Sequence, residues 1–178
     1  SGYQFKSGFW FGEKMTLDEI IQWNQNHLQN KFKLGFTQHV KYDYQQILLD
    51  SNNYSEMRLF WMYKNDRIEL NLIIPEYDIL QYSEKITFIE DKIHPIITIA
   101  KNLWNTAIVS AIQACVEFDG GAVEIEKLKK GQSPIVHPFC ILDNYFFEKS
   151  KAALKSELEY QCLDNGMLII DKSLIKVF

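Results

Sequence analysis

Two β-rich runs, Met57 to Tyr63 and Ile68 to Ile74, are separated only by the polar Lys64-Asn65-Asp66-Arg67. β-branched and aromatic side chains suit a pleated, half-buried surface, and a short polar link between two such runs reverses the chain, so the segment reads as a β-hairpin. Pro75 has no backbone N–H to give to a ladder and ends the second strand. A third strand is expected just upstream, where Phe36, Gln38, Val40, Tyr42 and Tyr44 share one parity and Thr37, His39, Lys41 and Asp43 the other. An antiparallel sheet with one buried face follows.

Helices are expected on either side of this β region. Thr16-Leu17-Asp18-Glu19 is a Thr-x-x-Glu capping box, which starts a helix over Leu17 to Asn30 with Leu17, Ile20, Ile21 and Leu28 near the 3.6-residue period. Pro95 suits a first helical turn. After it Ile96, Ile99, Ala100, Leu103, Trp104, Ala107, Ile108, Ala111, Ile112 and Cys115 mark a broad stripe, so Ile96 to Cys115 reads as the central buried helix, stopped by Asp119-Gly120-Gly121. Val123 to Glu126 is expected to be a short strand, Gly131 to Pro138 a loop, and Asn144 to Leu163 a second amphipathic helix with Phe147, Ala153, Leu154, Leu158 and Cys162 inward. Asp164-Asn165-Gly166 is a turn, and Met167 to Ile170 and Leu174 to Phe178 are terminal strands. The expected fold is therefore α+β, an antiparallel sheet packed against a few helices, in a single domain spanning residues 1–178. The Ser1-Gly2 start reads as a tag remnant or the edge of a longer chain.

With 178 residues, of which 47% are hydrophobic, the chain can bury a core without metals or disulfides. The longest apolar region, Ile96 to Val116, is interrupted by Lys101, Asn102, Asn105, Ser110 and Gln113, so it cannot span a bilayer, and no secretion signal is visible. Cys115, Cys140 and Cys162 are odd in number, far apart and set among apolar neighbours. They read as reduced core residues in a cytoplasmic protein. The net charge of −4, with only Lys127-Leu128-Lys129-Lys130 as a basic run, argues against nucleic-acid binding.

Candidate chemistry is sparse. His27, His39, His94 and His137 form no metal-binding pair, and His94 and His137 both precede proline, a placement suited to turns and helix starts. Cys140 follows His137-Pro138-Phe139, which invites a Cys–His nucleophile. Its flanks Phe139, Ile141 and Leu142 imply an apolar setting that raises a thiol pKa, so the buried reading is preferred. Glu90-Asp91 and Glu124-x-Glu126 read as solvated carboxylates, and Gly120-Gly121 lacks the surroundings of a phosphate loop. No catalytic residue, metal or cofactor is assigned.

The aromatic N-terminus, Tyr3, Phe5, Phe9, Trp10 and Phe11, divides between core and an exposed patch of the kind that marks partner contacts. An acidic chain rich in Tyr and Trp without a catalytic constellation suits a binding module whose carboxylates steer a basic partner. This profile resembles the bacterial immunity proteins that neutralise cognate secreted toxins, a likeness of size, acidity, Asn/Lys/Ile-rich composition and α+β layout that carries no residues across. It implies inhibition of a basic secreted toxin domain by binding and occlusion, with no nucleic acid or membrane as partner. The residues best placed for such a face are Asp43 and Asp50 around the alternating strand, with Trp10. The competing reading is a small enzyme whose site assembles from distant residues, followed by a regulatory domain of a larger protein.

Overall fold

The two β-rich runs around residues 57–73 fold as the hairpin that their short polar link predicts. The computed structural model describes residues 44–49, 51–63, 67–84, 86–106, 108–155 and 157–174, together with Glu19, Gln22 and Asn26. Strands β1 (Tyr44–Leu49), β2 (Met57–Tyr63) and β3 (Ile68–Ile73) form an antiparallel sheet in the order β1-β2-β3, with Tyr63 opposite Ile68 at the hairpin end. β3 ends two residues before Pro75, as the missing N–H requires. A short helix, α1 (Glu76–Ile79), follows, and Asp78 Oδ2 accepts from both the backbone N–H and the hydroxyl of Ser55, each at 2.7 Å. Glu19, Gln22 and Asn26 are helical, and Gln22 donates to Asn26 at 3.0 Å across one turn. The rest of the expected N-terminal helix, the strand before Tyr44 and residues 175–178 lie outside the described residues.

The chain divides into two compact units, residues 1–78 and 79–178. In the second, β4 (Leu80–Tyr82) and β5 (Ile86–Phe88) form a small antiparallel pair, and helix α2 (Glu90–Thr106) leads to a four-stranded antiparallel sheet. Its strands are β6 (Ala111–Gln113), β7 (Phe139–Asp143), β8 (Leu158–Leu163) and β9 (Gly166–Asp171), in the order β6-β7-β9-β8. Helices α3 (Ile125–Lys129) and α4 (Asn144–Ser150) complete the unit. The expected α+β fold, an antiparallel sheet with a few helices, is what the chain adopts.

β7 explains the layering. All of Phe139, Cys140, Ile141 and Leu142 are buried, which an alternating strand achieves only when both sheet faces are covered. Phe139 and Ile141 pack with Leu168, with Ile93, Ile97, Ala100 and Trp104 of α2, and with Leu80 and Phe88. Cys140 and Leu142 face the other way, onto Ile169, Leu128 of α3 and Phe146 of α4. Each fully buried aliphatic or aromatic side chain in these layers contributes roughly 1.5–3 kcal/mol over its exposed state. α4 is anchored at its start by Asp143, whose Oδ1 accepts the N–H of Phe146 at 2.8 Å.

Trp104 joins α2 to the far end of the sheet: its indole N–H donates to the Asp164 carbonyl at 2.9 Å, in the β8–β9 turn. That turn needs Asn165 at φ 61, a left-handed conformation that asparagine tolerates, and Gly166 beneath the indole. A Cβ on Gly166 would lie 2.4 Å from Trp104 Cζ2 and 2.6 Å from the Leu142 carbonyl oxygen.

Several expectations are corrected. α2 begins at Glu90, so Pro95 sits inside it, and it ends at Thr106 rather than Cys115. Its acidic first residues favour the positive helix start, and the deepest stripe is Ile93, Ile97, Ala100 and Trp104. Ile108 lies beyond the helix and is fully exposed, and Ala111 to Gln113 are strand β6. Residues 125–129 are helical instead of forming a strand over 123–126. The expected helix from Asn144 to Leu163 stops at Ser150, and from Leu158 the same residues form edge strand β8. Cys140 is buried as expected, but Cys115 and Cys162 are exposed, because the helices that would have turned them inward do not reach them. No helix among the described residues is long and apolar enough to cross a membrane.

Candidate functional site

The most constrained surface feature of the second unit lies where β6 runs out. Gln113, the last residue of β6, uses its side chain as an extra length of sheet. Its Nε2 donates to the Val123 carbonyl at 2.9 Å, and its Oε1 accepts from the N–H groups of Val123 at 3.2 Å and Ile135 at 3.0 Å. One amide thus clamps the returning end of the 114–123 loop to the segment that leads into β7. The outgoing end is held by backbone bonds, Ala114 N–H to the Phe139 carbonyl at 3.0 Å and His137 N–H to the Ala114 carbonyl at 3.2 Å.

Between these ends Glu117–Asp119 makes one 3₁₀ turn. Asp119 organises it with both carboxylate oxygens: Oδ2 accepts the N–H of Val116 at 2.8 Å, and Oδ1 meets Nδ1 of His137 at 2.6 Å. An Asp is favoured there because its short acceptor reaches an orphan backbone donor at a helix start. Gly120 and Gly121 then turn the chain back at φ 72 and 96, a conformation that side chains with a Cβ adopt only at a cost. The Asp119 side chain is only 10% exposed and that of His137 one third. Phe118, between Glu117 and Asp119, is 84% exposed. Residues 117–126 hold four carboxylates, Glu117, Asp119, Glu124 and Glu126, and no Lys or Arg. Glu126 pairs with Lys129 at 2.7 Å in the first basic turn that follows.

The geometry of this site is that of a loop tied down by side-chain hydrogen bonds with one aromatic ring left in solvent. An Asp–His pair is the base and orienter of a nucleophilic triad, which then needs an activated nucleophile. Cys115, on the same loop, is exposed overall but partly desolvated at its thiol, whose pKa is raised by that partial burial and then by the charge of Asp119, the reverse of activation. Burial alone pushes the Cys140 thiol up to about 12. Cys140 is therefore a buried core residue packed with Leu128, Leu142, Phe146 and Ile169, the preferred sequence reading. His94 meets Glu90 at 3.1 Å on an exposed turn of α2, and Glu124 and Glu126 are exposed, so the carboxylate pairs lie at the surface. Among the described residues no group of three His, Cys, Asp or Glu side chains could hold a metal ion.

A cavity of about 300 Å³ is lined by Lys155, Glu157, Leu158, Asp171 and Ser173. The carboxylate of its buried Asp171 is engaged in the local turn, accepting from the Ser173 N–H at 3.0 Å and hydroxyl at 2.5 Å. Asp43, Asp50 and Trp10, the residues expected to form the partner face, lie outside the described residues, as do His27 and His39. Sequence reasoning passed over Phe118, Gln113 and the Asp119–His137 pair. The one local signal for them is a phenylalanine set between two carboxylates immediately before Gly-Gly. No protein-family model, no curated protein and no solved structure matches this chain.

Proposed function

We propose that the chain is a protein-binding module of the immunity type, which inhibits a partner by occupying its surface, and that the loop carrying Phe118 is a contact point. The observation that supports it most is an 84% exposed phenylalanine at the tip of a turn fixed at both ends. Buried in a partner's pocket, such a ring gains roughly 1.5–3 kcal/mol, and a turn already ordered loses little conformational entropy on binding. Aromatic anchors of this kind dominate interface energetics. The carboxylates over residues 117–126 suit a basic partner, such as a secreted toxin domain, and raise its association rate. Asp43, Asp50 and Trp10 remain proposed members of the partner face.

The test is affinity for a protein partner isolated from the native host. Phe118→Ala is expected to weaken the complex about 10–100-fold with unchanged circular dichroism, and Glu124→Lys to slow association at low salt. An affinity unmoved by Phe118→Ala removes this loop from the interface. The Asp119–His137 pair gives the second reading, a small enzyme with a site assembled from distant residues, its specific support among the described residues. In that case His137 Nε2 would carry the reaction and a nucleophile from elsewhere would complete it.

A further inference from the structure

We infer that the Asp119–His137 pair is a latch that holds the Phe118 turn in its binding geometry, with His137 acting through Nδ1 as a positioning residue. This rests on the binding reading of Phe118. The backbone bonds of the turn are internal to it: Asp119 N–H to the Val116 carbonyl at 3.0 Å, and Gly120 N–H to that of Glu117 at 3.4 Å. The second Asp119 oxygen also closes back on Val116. A single 3₁₀ turn bonded only to itself opens readily, because few backbone bonds offset the entropy of fixing it. The Asp119 Oδ1 contact with His137 crosses 18 positions of sequence and ties the turn to the start of β7. His137 is a firm anchor, since its N–H is bonded to Ala114 and the Pro138 and Phe139 that follow it are buried.

The arrangement fixes which ring atom matters. An ionised carboxylate only accepts, so Nδ1–H donates to it, and Nδ1, not Nε2, is the ring atom that meets Asp119. Asparagine places its amide nitrogen near the position of Nδ1, whereas glutamine places it near Nε2. The two substitutions therefore separate a latch from a reactive base.

The experiment is amide hydrogen exchange at Val116, Asp119 and Gly120 in the free, full chain, with circular dichroism as the folding control. His137→Ala and His137→Gln are expected to speed exchange at these three amides by roughly 10–100-fold, the loss of one charge-assisted hydrogen bond. His137→Asn is expected to restore exchange to within a few-fold of wild type. Unchanged exchange in His137→Ala and His137→Gln overturns the latch, as does an Asn variant no better than Ala. Should the variants fail to fold, the wild type decides: a slowly exchanging Nδ1 proton of His137 in the imidazole region of the proton NMR spectrum supports the latch, and its absence overturns it. Binding is measured separately. With a captured partner, Phe118→Ala is expected to cost less in the His137→Ala background than in wild type. A failure confined to that arm counts against the partner reading and leaves the exchange result to judge the latch.

Discussion

Gly166→Ala tests whether the contact between α2 and the β8–β9 turn is as tight as the structure requires. The glycine does not need a left-handed backbone, so the demand is for space alone. A Cβ would stand 2.4 Å from Trp104 Cζ2 and 2.6 Å from the Leu142 carbonyl oxygen, against 3.4–4 Å for ordinary contact, a deficit of about 1 Å on two sides. The carbonyl cannot retreat, because Leu142 is paired with Met167 inside the sheet. The indole can move only by giving up its bond to the Asp164 carbonyl, which leaves a largely buried donor without that partner. Overpacking of this kind costs about 1–3 kcal/mol and the orphaned polar group about 1–3 more, so a total of about 2–6 kcal/mol is expected. Urea denaturation of Gly166→Ala, of Trp104→Phe and of the double variant reads it directly. Phenylalanine removes the part of the ring that clashes, so the alanine is expected to cost at least 1 kcal/mol less in that background. A single variant within about 0.5 kcal/mol of wild type, or a zero coupling, would refute the packing argument.

Ile97→Ala should cost about 2–5 kcal/mol in the same assay, whereas Ile108→Ala, at a fully exposed site, should stay within about 0.5 kcal/mol. Asp143→Ala removes the cap on α4 and is expected to cost about 0.5–2 kcal/mol, with Asp143→Asn recovering most of it. Thiol labelling of the native chain should modify Cys115 and Cys162 and reach Cys140 only after denaturation. The Cys140 thiol is lifted from 9.0 to about 12, so its contribution to stability is complete below about pH 9 and is lost as pH rises toward 12. Cys140→Ala should accordingly flatten the alkaline side of a stability-versus-pH curve over that window. Chelator and reductant are each expected to leave the melting midpoint within a few degrees.

The hairpin of β2 and β3 was legible because its two β-rich runs, its polar turn and Pro75 are all local and all agree. The end of α2 was not. The apolar residues from Ala107 to Cys115 continue the helical spacing almost unbroken, and a short apolar run suits helix and buried strand alike. What separates them is pairing with β7, which lies some thirty positions downstream. β8 misled for a related reason. Leu158 and Cys162 stand four apart as on a helix, yet they are also alternate members of a strand, and at a sheet edge most of that strand is exposed, so no clear period marks it. Cys162 was then assigned inward by a helix that is absent.

The loop around Phe118 inverts the rule on which such readings depend. Aromatic side chains are expected inside and carboxylates outside. Phe88, Phe139 and Phe146 obey it, but at the 3₁₀ turn Asp119 is nearly buried and Phe118 is in solvent. A buried carboxylate is costly only when its acceptors are unmet, and here they are met by the Val116 N–H and the His137 ring. With Asp119 satisfied inside, its neighbour one position earlier on a tight turn is projected outward, whatever its own preference. The ring that meets Asp119 lies 18 residues away, across the Gly120-Gly121 turn, α3 and the Gln113 clamp, so nothing local to Asp119 announces it. Local stability alone would favour a polar side chain at position 118, since an exposed phenylalanine gives the turn nothing in return. Under the proposed function the ring belongs to a contact completed by the partner, which is why Phe118→Ser is expected to leave the melting midpoint unchanged or slightly raised while weakening the complex. A midpoint lowered by several degrees would show instead that the ring packs within the fold, and would remove the argument for a partner at this turn.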